Sequence, residues 1–207
     1  MTVTKITELS KSRVQIITDE EFAFVLYKGE LRFYHVEEGK EIPEDAFLEI
    51  MQQLLPKRAK LRAMNLLKVR PYTVFQLTDK LRSGGYPKEI IDLAIEYVSS
   101  FGYLDDRKYA VDYITCYRES KTRNQIKNAL IQKGISKQII EDCMEECYAE
   151  DAGDSERKQI LAWMKKKNFN PSEATFAEQQ KFCAFLYRKG YQIDTIRSVL
   201  SLDITSI

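Results

Sequence analysis

The chain has 207 residues, 44% hydrophobic and 30% charged, a balance that excludes an intrinsically disordered protein. No apolar run approaches the ~20 residues needed to span a bilayer. The first five residues, Met1 to Lys5, lack the apolar core of a secretory signal, so a cytoplasmic protein without membrane contact is expected. The net charge of +1 conceals a division: residues 1–55 carry 6 Lys+Arg against 11 Asp+Glu, residues 56–135 carry 16 against 8, and residues 136–207 carry 10 against 12. A basic middle points to a polyanionic or acidic partner, with solvated helix faces as the plainer alternative.

The first 40 residues read as strands. Residues 14–18 and 22–27 are rich in β-branched and aromatic side chains, and residues 31–36 alternate, with Lys28-Gly29-Glu30 as a hairpin turn between the last two. Pro43-Glu44-Asp45 then opens a helix, with proline and acids in its first turn, and Phe47, Ile50, Met51, Leu54 and Leu55 supply its apolar stripe. A small β-sheet plus helix module over residues 1–55 is expected, with Pro56 as its boundary.

From there the pattern is helical and repeats. Gly85, Gly134 and Gly190 are each preceded four residues earlier by Leu81, Leu130 and Leu186, and eight earlier by Leu77, Ile126 and Phe182. One residue after them stand Tyr86, Ile135 and Tyr191, and six after them Ile91, Ile140 and Ile196. Self-similarity at this spacing marks a repeated helical unit. The expected fold is mainly α, with tandem three-helix repeats at 56–103, 104–152 and 153–207. Units of this size bury too little apolar surface alone and gain by stacking. Three in a row, with helices 8–10 Å apart, would form an elongated curved array of roughly 60–75 Å.

Local signals place the helices. Thr73 after Pro71 starts the second helix of the first unit, Gly84-Gly85 ends it, and the third begins near Pro87. Asp105-Asp106 opens the second unit, whose first helix carries Tyr109, Ala110, Tyr113, Ile114 and Tyr117 as an inner stripe; Lys121 or Thr122 opens its second helix and Ser136 caps its third. The third unit starts near Asp154-Ser155, with Ile160, Leu161, Trp163 and Met164 facing inward, and Thr175 to Glu178 form a capping box.

No catalytic constellation is present. The eight glycines read as caps and turns rather than a phosphate loop, and the single histidine, His35, has no nucleophile motif beside it and reads as a strand residue. Cys116, Cys143, Cys147 and Cys183 fit buried thiols on helices better than metal ligands, despite the spacing of Cys143 and Cys147. The expectation is a non-enzyme with no metal and no cofactor. The candidate binding residues are cations in two groups. Lys57, Arg58, Lys60, Arg62, Lys68 and Arg70 lie on and beside the first helix of the array, and Arg118, Lys121, Arg123 and Lys127 surround the junction into the second helix of the second unit. At that junction helix-start N–H groups and cations could hold a phosphate or carboxylate. Tyr72, Tyr113 and Tyr117 are candidates for stacking, with burial beside Tyr109 as the alternative for the last two.

The segments Phe101-Gly-Tyr-Leu-Asp-Asp-Arg-Lys-Tyr-Ala-Val-Asp-Tyr113, Arg70-Pro-Tyr-Thr73 with Leu77 and Leu81, and Arg123-Asn-Gln-Ile-Lys-Asn-Ala-Leu-Ile-Gln-Lys-Gly-Ile135 resemble the RecX family of recombination regulators. The resemblance is closest over about residues 58–148 and loosest in the third repeat. Two positions depart from it: Thr122 and Arg123 follow Lys121 where the family often has glycine, and Thr73 stands where serine is common. The resemblance implies a monomeric modulator in DNA recombination, repair and the SOS response. It would bind the RecA–DNA filament along its groove, with single- or double-stranded DNA as a further contact, and restrain ATP hydrolysis and strand exchange. A plain DNA-binding protein and a helical scaffold for another partner are the alternatives.

Overall fold

A computed structural model describes residues 1–149 and 154–200. The chain divides at residues 105/106 into two compact units. The expected end of the second repeat at residue 152 and the expected C-terminal stretch 201–207 lie outside the described residues.

The first unit opens with three antiparallel strands in sequential order, β1 (Val3–Glu8), β2 (Arg13–Thr18) and β3 (Ala23–Tyr27). Val14, Ile16 and Thr18 alternate into the core, and Ile16 pairs with Ile6 on one side and Phe24 on the other. Two of these strands fall where the sequence placed them; β1 went unnoticed because Thr4, Lys5 and Thr7 dilute its apolar content. The expected third strand at residues 31–36 is instead the end of a helix, α1 (Lys28–Phe33), and the expected hairpin residues Lys28-Gly29-Glu30 are its first turn. The Glu30 carboxylate accepts from the Tyr27 backbone N–H at 2.8 Å, which starts the helix where a hairpin would have reversed the chain. Inward residues then follow at helical spacing: Leu31 is half-buried and Tyr34 buried, while Phe33 between them is exposed. His35 is not a strand residue. It has φ +52° and terminates α1 as Val36 N–H reaches back to the Leu31 carbonyl at 2.9 Å.

Pro56 does not interrupt the chain either. Helix α2 (Glu44–Glu49) runs through a π-helical turn (Ile50–Leu54) into α3 (Leu55–Val69). A proline inside an α-helix removes a donor and presses on the carbonyl four residues back. The wider turn, closed by Leu55 N–H on the Ile50 carbonyl, accommodates the ring. Phe24, Leu26, Tyr34, Ile50, Leu55, Ala59, Ala63, Leu77, Leu81, Ile91 and Val98 form one core, so the sheet and α3, α4 (Val74–Arg82) and α5 (Lys88–Ser100) are buried together.

The second unit holds α6 (Asp106–Tyr117), α7 (Arg123–Gln132), α8 (Lys137–Tyr148), α9 (Asp154–Lys167), α10 (Phe176–Lys189) and α11 (Ile193–Leu200). Helices α6–α8 surround Ala110, Ile114, Ile126, Leu130, Ile140 and Cys143; α9–α11 surround Ile160, Phe182, Leu186, Tyr191, Ile196 and Leu200. Leu161, expected to face inward, is 53% exposed. Burial pushes the thiol pKa of Cys143, Cys147 and Cys183 up, the behaviour of packed apolar thiols.

The repeat is physical. Gly85, Gly134 and Gly190 adopt φ +84°, +81° and +98°, and Leu81, Leu130 and Leu186, four residues before each, are fully buried. Thr73, Thr122 and Thr175 start the preceding helix in all three cases, each accepting from a backbone N–H three residues on, with Gln76, Gln125 or Glu178 returning the bond. At the last of these the Thr175 N–H and hydroxyl, at 2.8 and 2.7 Å, hold the Glu178 carboxyl below the usual carboxylate range.

Candidate functional site

On α3 the expected cations flank the buried stripe Leu55, Ala59 and Ala63 and play different roles. Arg58 is structural: its guanidinium pairs with Glu30 and lies 4.6 Å over the Tyr27 ring, tying α3 to α1. Lys60 sits 4.9 Å over Tyr97, and Arg70 lies 4.3 Å over the buried Tyr72, which makes Tyr72 a packing platform. Lys57, Arg62 and Lys68 extend into solvent.

At the α6–α7 junction, a helix-start N–H that the sequence offered to a bound anion is occupied from within the chain. The anion is Glu156, only 2% exposed, whose carboxylate accepts from the Arg123 backbone N–H at 2.9 Å. Around it the first turn of α9 plugs the junction. Ser155 donates to Glu119 at 3.0 Å, and Gln159 donates to the carbonyls of Arg118 and Lys121 at 2.9 and 3.3 Å while accepting from Tyr191 at 3.1 Å. The end of α10 closes the other side, where Asn124 and Gln125 donate to the Gly190 and Lys189 carbonyls, both at 3.0 Å. Arg118 and Arg123 therefore belong to a polar seam joining the two cores of this unit, with the Arg123 guanidinium 4.2 Å over Tyr148. Lys127 lies 3.8 Å from Glu141 and lines, with Arg123 and Tyr148, a recess of about 360 Å³.

Tyr109, Tyr113 and Tyr117 form a half-buried ladder along α6. Tyr109 and Tyr113 stack at 6.4 Å, and Tyr113 and Tyr117 approach to 4.5 Å. Lys121 covers it, 4.0 Å over Tyr117 and donating to the Tyr113 hydroxyl at 3.0 Å. That hydrogen bond raises the Lys121 pKa against the opposing effect of burial. Lys133, absent from the sequence-derived set, lies 5.4 Å from the Tyr113 ring.

A family model described as the first three-helix domain of RecX matches residues 59–97, and one described as the third matches residues 154–200. A protein named regulatory protein RecX from Caldanaerobacter subterraneus subsp. tengcongensis is 30% identical, covering 98% of this chain and 100% of its own length. Another of that name, from Clostridium botulinum (strain Alaska E43), is 31% identical over 95% of this chain and 94% of its own. The chain belongs to the RecX family. A crystal structure of regulatory protein RecX superposes with TM-score 0.64 at 21% identity over 98% of this chain and 99% of that one. RecX from Lactobacillus salivarius gives 0.62 at 23%, over 71% and 95%. These two likenesses support the fold.

The RecX domain matched at 154–200 also holds what the sequence reading missed. Residues 136–207 together are slightly acidic, but the average merges an acidic α8 with a basic domain: residues 154–200 alone carry nine Lys+Arg against five Asp+Glu. Summing charge by folded domain instead of over residues 136–207 together would have found it. Among the described residues, no helix of this RecX-family chain is long and apolar enough to cross a membrane.

Proposed function

We propose that this chain regulates the RecA recombinase by binding the RecA–DNA filament along its groove and restraining ATP hydrolysis and strand exchange, and that it does so in the cytoplasm as a monomer without catalysis of its own. The observation that carries the reading is the set of exposed cations on α3. Among the described residues Lys57, Arg62 and Lys68 are in no ion pair, so their charge is available to acidic side chains or phosphates. Lys60, Arg70, Lys121 and Lys127 add to the contact, while Arg58, Arg118 and Arg123 hold the scaffold that presents it. In this reading the chain works as three-helix units 56–103, 104–152 and 153–207, with residues 1–55 packed into the core of the first.

A Lys57→Ala/Arg62→Ala/Lys68→Ala variant tests this reading. All three side chains are exposed, so its melting temperature should match the parent's, since surface changes of this kind stay within about 0.5 kcal/mol each. Its affinity for RecA–DNA filaments should fall about tenfold or more. Filament binding and inhibition at parental strength would remove α3 from the interface.

A further inference from the structure

The ends of α9 and α10 gather cations on an aromatic pair that the proposed α3 contact does not include. Trp163 and Phe185 meet edge to face at 5.3 Å. Lys166 and Lys189 lie 5.1 and 5.3 Å from the Trp163 ring centre, and Lys167 and Lys189 lie 5.6 and 5.8 Å from that of Phe185. Both rings are half-buried and the three lysines exposed. Lysines favour helix C-termini whatever a protein does, but the helix dipole alone does not draw the ends of two helices onto one ring pair.

The charge here is also uncompensated. Lys127 and Arg118 have carboxylates within 4 Å, and Arg58 and Arg107 are paired outright. Among the described residues, Lys166, Lys167 and Lys189 meet none. The rings hold these ammonium groups in place by cation–π attraction, which is modest at exposed sites. An incoming phosphate therefore displaces no internal partner. Acidic α8 side chains belong to the other three-helix group of this unit, and the domain itself is basic, with nine cations against five acids.

We infer that Trp163, Phe185, Lys166, Lys167 and Lys189 form a single-stranded nucleic-acid site on the third three-helix domain. The ammonium groups engage consecutive phosphates and the aromatic pair meets the bases. Cations interleaved with aromatic rings suit a strand that carries both phosphates and unpaired π faces; an acidic protein surface would use the charge and leave the rings idle. The site deepens the proposed function by giving the chain a DNA contact separate from α3.

Trp163 is the sole tryptophan of the chain, so its emission reports on this site alone. Titrating the full chain with a thymidine 20-mer should quench that emission saturably. Lys166→Ala/Lys167→Ala/Lys189→Ala should weaken binding at least tenfold and flatten the log affinity versus log salt slope by about 2, at about 0.7 per phosphate contact on single strands. The corresponding triple arginine variant should restore binding. The inference is overturned if the chain fails to bind the oligonucleotide. It is equally overturned if binding followed by oligonucleotide anisotropy leaves Trp163 emission unmoved, if the alanine variant titrates like the parent, or if polyglutamate quenches as well as the oligonucleotide. RecA–DNA filament affinity of the unaltered chain, measured separately, decides the proposed function independently of these outcomes.

Discussion

Gly85→Ala should destabilise the first unit by about 2–5 kcal/mol, a large share of the ~5–15 kcal/mol that holds a domain folded. Two costs combine. Gly85 has φ +84°, where a β-carbon costs roughly 1–2 kcal/mol. A β-carbon there would also lie 2.1 Å from Cγ2 of Val25, in the middle of β3, and relieving an overlap of that kind in a packed core typically costs another ~1–3 kcal/mol. This close approach explains why Phe24, Val25 and Leu26 are all buried although strand residues alternate between faces: the α4–α5 turn covers the face that Val25 occupies. Gly39 provides the control, with φ +80° and nothing within 4 Å of its would-be β-carbon. Gly39→Ala should lose only the conformational part, about 1–2 kcal/mol. Urea unfolding of both variants, with Val25→Ala added to Gly85→Ala as a partial rescue, separates the two costs. Equal losses for the two glycine variants would show that the β3 contact is unimportant.

Glu156→Ala should destabilise the second unit by about 2–3 kcal/mol, because a buried charged hydrogen bond is lost and the α7 start keeps a donor that water reaches poorly. Glu156→Gln retains an oxygen for the Arg123 N–H and should lose about half as much. The loss should appear at the joint between the two cores, as faster amide exchange of Arg123 and of the first turns of α7 and α9. Uniform exchange across α6–α11 in the alanine variant, with unchanged melting, would mean that Glu156 does not hold the seam.

What was legible in the sequence was local. A threonine followed three residues later by glutamine or glutamate, an apolar residue four before a glycine, and the left-handed glycine itself each specify a turn of helix by neighbours in the chain. Hence Thr73, Thr175 and the Gly85, Gly134 and Gly190 register could be read directly, and the start of α7 was narrowed to Lys121 or Thr122. What was not legible depends on residues far apart. Residues 31–36 alternate like a strand, but the Glu30 carboxylate at Tyr27 and the Arg58 partner 28 residues on make α1. Pro56 looked like a break because the π turn that absorbs it has no signature of its own. The candidate cations divided in the same way. Lys57, Arg62 and Lys68 are exposed, whereas the backbones of Arg123 and Arg118 are drawn into a seam by Glu156 and Gln159, more than 30 residues later. Lysines at 166, 167 and 189 went unseen because acids on α8 cancelled them in the charge sum.

On the proposed function, this RecX-family chain acts by recognising the RecA–DNA filament. Fluorescence anisotropy of the labelled chain tests it most directly, against single-stranded DNA, RecA, and RecA–DNA filaments held with a slowly hydrolysed nucleotide, at two salt concentrations. Filament binding at least about tenfold tighter than binding to either component is the expected result, since the filament alone offers protein contacts and phosphates together. Equal affinity for bare DNA and filament, with a steep salt slope in both, would contradict it and make the chain a DNA-binding protein that meets RecA only by competition.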